Sequence, residues 1–403
     1  MAAQSPPAAA ISRRVGAISE SATIAMERRA RELSAGGQRV ISLAAGEPDL
    51  PTSEAVVEAA AAACREPRLH HYTPVAGLPE LREAVAEKTS RDSGQGVAAA
   101  NVLITSGTKQ AIDHAFAALL DPGDEVLLAS PYWVTHPEVI TITGGVPVAV
   151  AADDTRGFRV GVAELEAART ERTKALLFVS PANPSGAVYG EAQMREIGTW
   201  AAEHRLWVVS DDIYEHFNYT PSRPRSLPAL VPELEPLAIS VNGAAKSYAM
   251  TGWRVGWMVG PVPVVAAATN LHSHVSGNIS NVAQAAALAA LRSGLGSVHR
   301  MRDLFRVRRD RTVAAVQRLP GFECLTPDGA FYVFPSVVGV LGRSLGGRRI
   351  ESSLDLAEAI LDQAKVALVP GEAFGAPGHL RFSYAASDAD LAEGLERIAR
   401  LLA

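Results

Sequence analysis

The sequence predicts an α/β protein: a large domain with a mostly parallel central sheet covered by helices, followed by a smaller α+β domain. Three observations predict it. Short apolar runs alternate with helical patterns through the middle of the chain, which is how parallel strands joined by crossover helices read. The chain has 403 residues, more than one domain ordinarily holds. After about residue 295 the alternation gives way to a long charged helix and short isolated strands. The expected divisions are a disordered stretch 1–10, a segment 11–45 that folds back onto the smaller domain, a large domain 46–295 and a small domain 296–403.

The elements follow in order. Val102-Leu103-Ile104-Thr105 reads as a strand, with a helix over about 109–120 behind it. Asp121-Pro122-Gly123-Asp124 is a turn, and Glu125-Val126-Leu127-Leu128 the next strand. Ala175-Leu176-Leu177-Phe178-Val179, Leu206-Trp207-Val208-Val209 and Leu237-Ala238-Ile239-Ser240-Val241 are further buried strands. A helix over about 191–204 connects two of them. Beyond 295 come a helix over 298–319, the apolar run Ala330-Phe331-Tyr332-Val333-Phe334 and a Gly/Arg-rich loop at 342–349. A helix, a strand Val366-Ala367-Leu368-Val369, a strand Leu380-Arg381-Phe382-Ser383 and a last helix to Leu402 complete the chain.

Composition narrows the function. Hydrophobic residues are 48% and charged residues 20%, enough for a large core. A net charge of -5 argues against nucleic acid, which wants a basic face. The two cysteines, Cys64 and Cys324, have no metal spacing and fit a reducing cytoplasm rather than a disulfide framework. The first ten residues lack the pattern of a secretory signal, and no apolar run reaches the roughly 18–20 residues of a membrane span. No metal site and no internal repeat are visible.

Five segments at strand ends or helix starts carry chemistry. Lys246 sits among small residues in Asn242-Gly243-Ala244-Ala245-Lys246-Ser247, with Arg254 a short way on. Desolvation or a nearby cation lowers a lysine pKa and lets the amine form a Schiff base, and an arginine fork suits a phosphate. Together they match pyridoxal 5'-phosphate. Alone, Lys246 also reads as a solvated loop residue. Ser106-Gly107-Thr108-Lys109 opens a helix, a good phosphate seat, although taken alone an ordinary cap is the commoner reading. Asn183, held extended before Pro184, can donate to a phenolate oxygen or simply make a turn. Asp211 after a buried strand can hold a pyridine nitrogen protonated, with Tyr214 near the ring oxygen; a helix cap with a packing tyrosine is the alternative. Arg381 can grip a carboxylate or serve a structural salt bridge.

Taken together in this order, these segments resemble the fold-type I pyridoxal-phosphate-dependent aminotransferases (class I/II), in the bacterial branch of the aspartate aminotransferase group. The resemblance runs nearly end to end, from Ile11-Ser12-Arg13-Arg14-Val15 to the last helix. It includes Gly46-Glu47-Pro48-Asp49, Tyr72-Thr73-Pro74-Val75-Ala76-Gly77, Pro131-Tyr132-Trp133, Asn183-Pro184-Ser185-Gly186 and Gly252-Trp253-Arg254-Val255-Gly256. It implies that Lys246 carries the cofactor as a Schiff base and shuttles the proton, while Asp211 pairs with the pyridine nitrogen. Tyr214 and Asn183 bind the phenolic oxygen, and Trp133 stacks on the ring and borders the substrate. Arg254 and the amides of Gly107, Thr108 and Lys109 hold the phosphate. Arg381, helped by Asn183 and the backbone near Gly46, binds the substrate α-carboxylate. Tyr72 reaches the phosphate of a neighbouring subunit, so a homodimer with shared sites is implied.

The implied reaction is ping-pong transamination between an acidic L-amino acid (aspartate or glutamate) and a 2-oxo acid. In the branch resembled, a Gly-Gly-Lys loop binds the distal carboxylate. Lys109 matches that lysine, although it also reads as decoration of the phosphate loop. Thr108 stands where a glycine is usual, Asp212 for a glutamate and Ser185 for a threonine. His272 and His274 fall in a stretch resembling the active-site rim. These departures leave open prephenate, aromatic or specialised substrates, or β/γ-elimination or substitution chemistry. Rivals of other classes are a serine hydrolase, from Gly342-Arg343-Ser344-Leu345-Gly346, and a non-catalytic cofactor-binding regulator. No G-x-G-x-x-G follows a strand, so a nicotinamide enzyme lacks support.

Overall fold

The structure, a computed structural model, describes residues 11–16, 18 and 21–403; the stretch 1–10, expected to be disordered, lies outside them. The strand β1 (Ile41–Ser42) precedes the central sheet. That sheet comprises β2 (Val102–Thr105), β3 (Glu125–Ser130), β4 (Val146–Ala151), β5 (Thr173–Val179), β6 (Trp207–Asp211), β7 (Ala238–Gly243) and β8 (Gly256–Val259). Their spatial order is β2-β8-β7-β6-β5-β3-β4. All run the same way except β8, which is antiparallel to both neighbours.

The alternation seen in the sequence is therefore the mostly parallel sheet expected. Two strands escaped the reading. β4 carries Pro147 and is half exposed; proline is tolerated there because β4 is an edge. β8 is four residues long and hidden behind the glycines of the 252–256 motif.

Helices cover the sheet through apolar stripes. In Thr108–Leu119, Ala111, Ile112, Ala115, Phe116 and Leu119 are buried, the spacing of one helical face. Asn281–Arg292 packs on the helices Glu54–Ala63 and Pro79–Ser93.

The C-terminal part contains β9 (Tyr332–Val333), β10 (Ser344–Leu345), β11 (Arg348–Arg349), β12 (Val366–Ala367), β13 (Val369–Pro370) and β14 (Leu380–Ser383). The expected single strand at 366–369 is two, because its partner changes at Leu368. β12 pairs in parallel with β1, and β13 pairs antiparallel with β14. The expected loop at 342–349 is a small antiparallel ribbon of β10 and β11. Ser344 lies exposed on that ribbon, which is no strand-to-helix elbow. The long helix ends at Val316 and only Tyr332–Val333 of the run 330–334 is strand. Met26, Ala30, Ile41 and Leu43 share one apolar cluster with Phe331, Val366 and Ile398.

Beneath the sheet's carboxyl edge lies a buried charge cluster. Lys88, on Pro79–Ser93, is 3% exposed and pairs with Glu215 and, at 3.2 Å, with Asp92. Burial pulls the ammonium pKa down, but the two carboxylates outweigh it and raise it. Asn242 donates to the same Glu215 oxygen at 2.6 Å. The cluster ties β7 to the segment after β6.

Lys88→Met would leave the buried Glu215 carboxylate without its cation, while Asp92 keeps Arg91 at 2.7 Å. Urea unfolding at neutral pH should show a loss of about 3–5 kcal/mol, smaller in Lys88→Met/Glu215→Gln. Wild-type stability in Lys88→Met would refute a structural role for the pair.

Candidate active site

Five strands deliver their following residues to one edge of the sheet. After β2 comes Gly107, after β3 Trp133, after β5 Asn183, and after β7 Lys246; Asp211 is the last residue of β6. The reversed β8 begins at that same edge, so Arg254 just before it arrives there too. The register sets Thr105, Gly256 and Gly243 side by side.

Two glycines let the helix Thr108–Leu119 settle on this edge. A Cβ on Gly256 would stand 2.4 Å from the Gly107 carbonyl carbon and 2.5 Å from the Thr108 nitrogen. A Cβ on Gly243 would stand 2.9 Å from Thr108 Oγ1. Gly243 thus makes the room that the bulk of Thr108 needs. Gly107 itself has φ +82, and a Cβ there would meet Arg254 Nη2 at 2.5 Å. Gln110 and Ala111 turn their N–H groups back to Gly107 O, leaving those of Thr108 and Lys109 as the helix's open donors.

A cavity of about 310 Å³ opens here. Gly46, Thr108, Lys109, Trp133, Asn183, Asp211, Tyr214, Lys246, Arg254 and Arg381 all line it. Sequence reasoning had named every one of these ten. Tyr72 is not among the lining residues; it is 98% exposed on the protein surface. His272 and His274 are not among them either. His272 is buried against His114, Nδ1 to Nε2 at 3.0 Å, and burial drops its pKa to about 4. It is a core histidine.

Lys246 donates its amine to Gly46 O. Burial, then repulsion from Arg381 and Arg254, lowers its pKa to about 8 against the pull of Glu47 and Asp211. Asp211 is 3% exposed. Its Oδ1 accepts the Ile213 N–H at 3.2 Å, and His136 Nε2 stands 3.2 Å from Oδ2. His136 also meets Trp133 edge-on, with ring centroids 5.2 Å apart. Tyr214 and Tyr332 share a hydrogen bond at 2.8 Å, and burial keeps both phenols protonated by raising their pKa values.

Arg381 is 1% exposed. It donates to Asn183 Oδ1 at 3.0 Å and to Ala44 O at 2.6 Å, and its guanidinium lies 4.5 Å over the Tyr332 ring. Among the described residues no carboxylate lies within ion-pair distance of it, and its Nε has no acceptor. The structural salt bridge considered from sequence is absent there. Because Asn183 spends its carbonyl on Arg381, its NH2 remains to donate. Lys109 stands 5.2 Å over Trp133, and burial and then Arg254 lower its pKa.

Sequence reasoning missed His136, Tyr332 and the helix Ala22–Ala35, which contributes Thr23, Ile24 and Glu27 to the lining. His136 carried one usable signal, lying three residues after Trp133. Nothing local marks the others.

The donor set fits pyridoxal 5'-phosphate. An aldehyde would find an amine of lowered pKa, a ring nitrogen a buried carboxylate, a ring face an indole, and a phosphate open helix N–H groups beside Arg254. Thr108 Oγ1, buried without a partner, points to a missing polar ligand at that seat.

Comparison with known proteins agrees. The sequence model of the aminotransferase class I and II family matches residues 38–398. An aspartate aminotransferase of Streptomyces avermitilis is 56% identical, over 100% of this chain and 99% of that protein. The crystal structure of the aspartate aminotransferase from Rhizobium meliloti superposes with a TM-score of 0.94 at 38% identity, covering 98% of each chain. That of Thermus thermophilus with maleate gives 0.91 at 40% identity, covering 98% of this chain and all of the other.

Gly256→Ala would force the Gly107–Thr108 peptide off the sheet. Dialysis of the loaded protein should show cofactor retention weakened by about tenfold or more; unchanged retention would refute the steric account. In the apoprotein, labelling of the Lys246 amine should be half-maximal near pH 8, rising with pH as the ammonium deprotonates. A midpoint at the ordinary lysine value of about 10.4 would contradict the enclosure argument.

Proposed function

The chain belongs to the class I and II aminotransferase family, and from that membership we propose an aspartate aminotransferase that exchanges an amino group between L-aspartate or L-glutamate and a 2-oxo acid. The observation that carries the substrate class is Arg381: a buried guanidinium with no carboxylate partner among the described residues, open to the cavity that Lys246 enters. A buried charge without a counter-ion is costly, so the site is built to receive an anion. Lys109 supplies a second cation in the same cavity, which suits a second carboxylate.

The family's cofactor is pyridoxal 5'-phosphate. When bound, it supplies an electron-withdrawing ring that accommodates the electron pair left by a broken Cα–H bond. The residues divide the remaining work. Lys246 Nζ would anchor the cofactor and serve as the base for the substrate Cα proton. Asp211, oriented by His136, holds a proton on the ring nitrogen. Tyr214 and Asn183 donate to the phenolic oxygen. Trp133 would offer its indole to a face of the ring. Arg254 and the Thr108 and Lys109 N–H groups grip the phosphate. Arg381 orients the α-carboxylate through its fork, and Lys109 the distal one. Two half-reactions in opposite directions complete a ping-pong cycle.

We extend the reading to a homodimer in which Tyr72 completes the neighbour's phosphate site, since an aromatic ring 98% exposed on one protomer calls for a cover. Domains at 46–295 and 296–403, with 11–45 on the smaller, are supported by the shared apolar cluster and the β1–β12 pairing. Free Cys64 and Cys324 fit the cytoplasm.

The test is a half-reaction without oxo acid. L-Aspartate and L-glutamate should bleach the cofactor band and release oxaloacetate and 2-oxoglutarate. Lys109→Ala should lower kcat/KM for aspartate about 10–100-fold and spare alanine, while Arg381→Ala lowers it for both. A persistent band with no oxo acid would overturn transamination of acidic substrates.

A further inference from the structure

One carboxylate in the cavity has no part in this scheme. Lys109, Lys246, Arg254 and Arg381 line it as cations, Asp211 and Glu27 as acids. Glu27 rides on the helix Ala22–Ala35. Met26 and Ala30 on either side of it are buried in the core, and Arg29 holds Asp362 at 2.7 Å. Glu27 is thus carried by an anchored helix, yet among the described residues its half-buried carboxylate makes neither a hydrogen bond nor an ion pair.

Its surroundings come from several elements. Glu47, itself held by Thr251 at 2.6 Å, acts on it from the segment after β1. Arg381 acts on it from β14 and Arg31 from its own helix. Tyr332, the other titratable neighbour across the lining, is a protonated phenol. Burial first, then the charge of Glu47, raises the Glu27 carboxyl above its ordinary value, against Arg31 and Arg381. A dicarboxylic substrate would bring two more negative charges into the same space.

We propose that Glu27 is a specificity-determining residue whose carboxylate opposes substrates with an anionic side chain, so that such a substrate binds with uptake of one proton by Glu27. A substrate with an uncharged side chain binds without that uptake. The proposal rests on the reading of the cavity as the amino-acid site. The balance is simple: the carboxylate, one proton and the dianion become the neutral acid beside the bound dianion. Because the neutral acid is the form compatible with the dianion, affinity is greatest at low pH and falls as pH rises through the Glu27 pKa.

The test uses cofactor-loaded wild type, Glu27→Gln and Glu27→Asp. Maleate, a dicarboxylate, and 3-methylbutanoate, a monocarboxylate, are titrated by absorption from about pH 5.5 to about pH 8.5. At the alkaline end Glu27→Gln should bind maleate about five- to tenfold tighter than wild type. The two should converge at the acid end, and 3-methylbutanoate should not distinguish them. Glu27→Asp should restore the pH dependence, which a packing effect would not. Equal maleate affinity in wild type and Glu27→Gln at every pH, or weaker binding in Glu27→Gln, overturns the proposal while leaving the aminotransferase reading intact. Maleate binding to none of the three removes the acidic-substrate reading and this role with it.

Discussion

Where the helix Thr108–Leu119 meets the sheet, the Gly107–Thr108 peptide lies against the bare α-carbon of Gly256, with no room for a methyl group between them. That closeness is possible because β8 runs against its neighbours and starts at the edge where they end. From it follow the height of the helix N-terminus, the approach of Arg254, and the floor on which the cavity stands. Arg254 accepts a left-handed backbone, φ 57, to reach this position, a strain that surrounding structure must hold in place. Its guanidinium is fixed by the Thr251 and Ser106 carbonyls at 3.1 and 3.3 Å.

The second organising fact is charge left unbalanced. Elsewhere in the fold buried cations are paired among the described residues: Lys88 with Glu215 and Asp92, Arg308 with Asp49 and Asp388. In the cavity Arg381, Lys109 and Lys246 are without ion-pair partners among the described residues. The contrast separates groups that hold the protein together from groups kept ready for a ligand. Burial first, and then repulsion from these neighbours Arg381 and Arg254, lowers the Lys246 pKa.

Much of this was legible in the sequence because the informative residues sit just after buried strands. Periodicity located five of the seven central strands, and the strand-end rule then placed Lys246, Asp211 and Asn183 at one edge. β4 was lost to a proline that only an edge strand tolerates, and β8 to its brevity. His136, Tyr332 and Glu27 are of another kind. Each reaches the site through long-range packing: His136 by facing Asp211 across two strand ends, Tyr332 through its hydroxyl partner Tyr214, Glu27 on a helix docked by Met26 and Ala30. Only His136 carried a local signal, its place three residues after Trp133; no local pattern records the other two meetings. His272 shows the converse: it falls in a stretch resembling the active-site rim, and its packing against His114 gives it the core role that is the commoner fate of a histidine there.

The pairing of β1 with β12 and the bond from Arg381 to Ala44 O, 337 residues apart, have a consequence for biosynthesis. As the chain leaves the ribosome, the central sheet, Asp211, Lys246 and the phosphate seat emerge well before β12, β14 and Arg381. The helix Ala22–Ala35 that lines the cavity is made before the strands that will seat it. A nascent chain would therefore present the cofactor's seat before it can recognise an amino acid, an order that allows the cofactor to enter an open cleft and be enclosed as the last strands arrive.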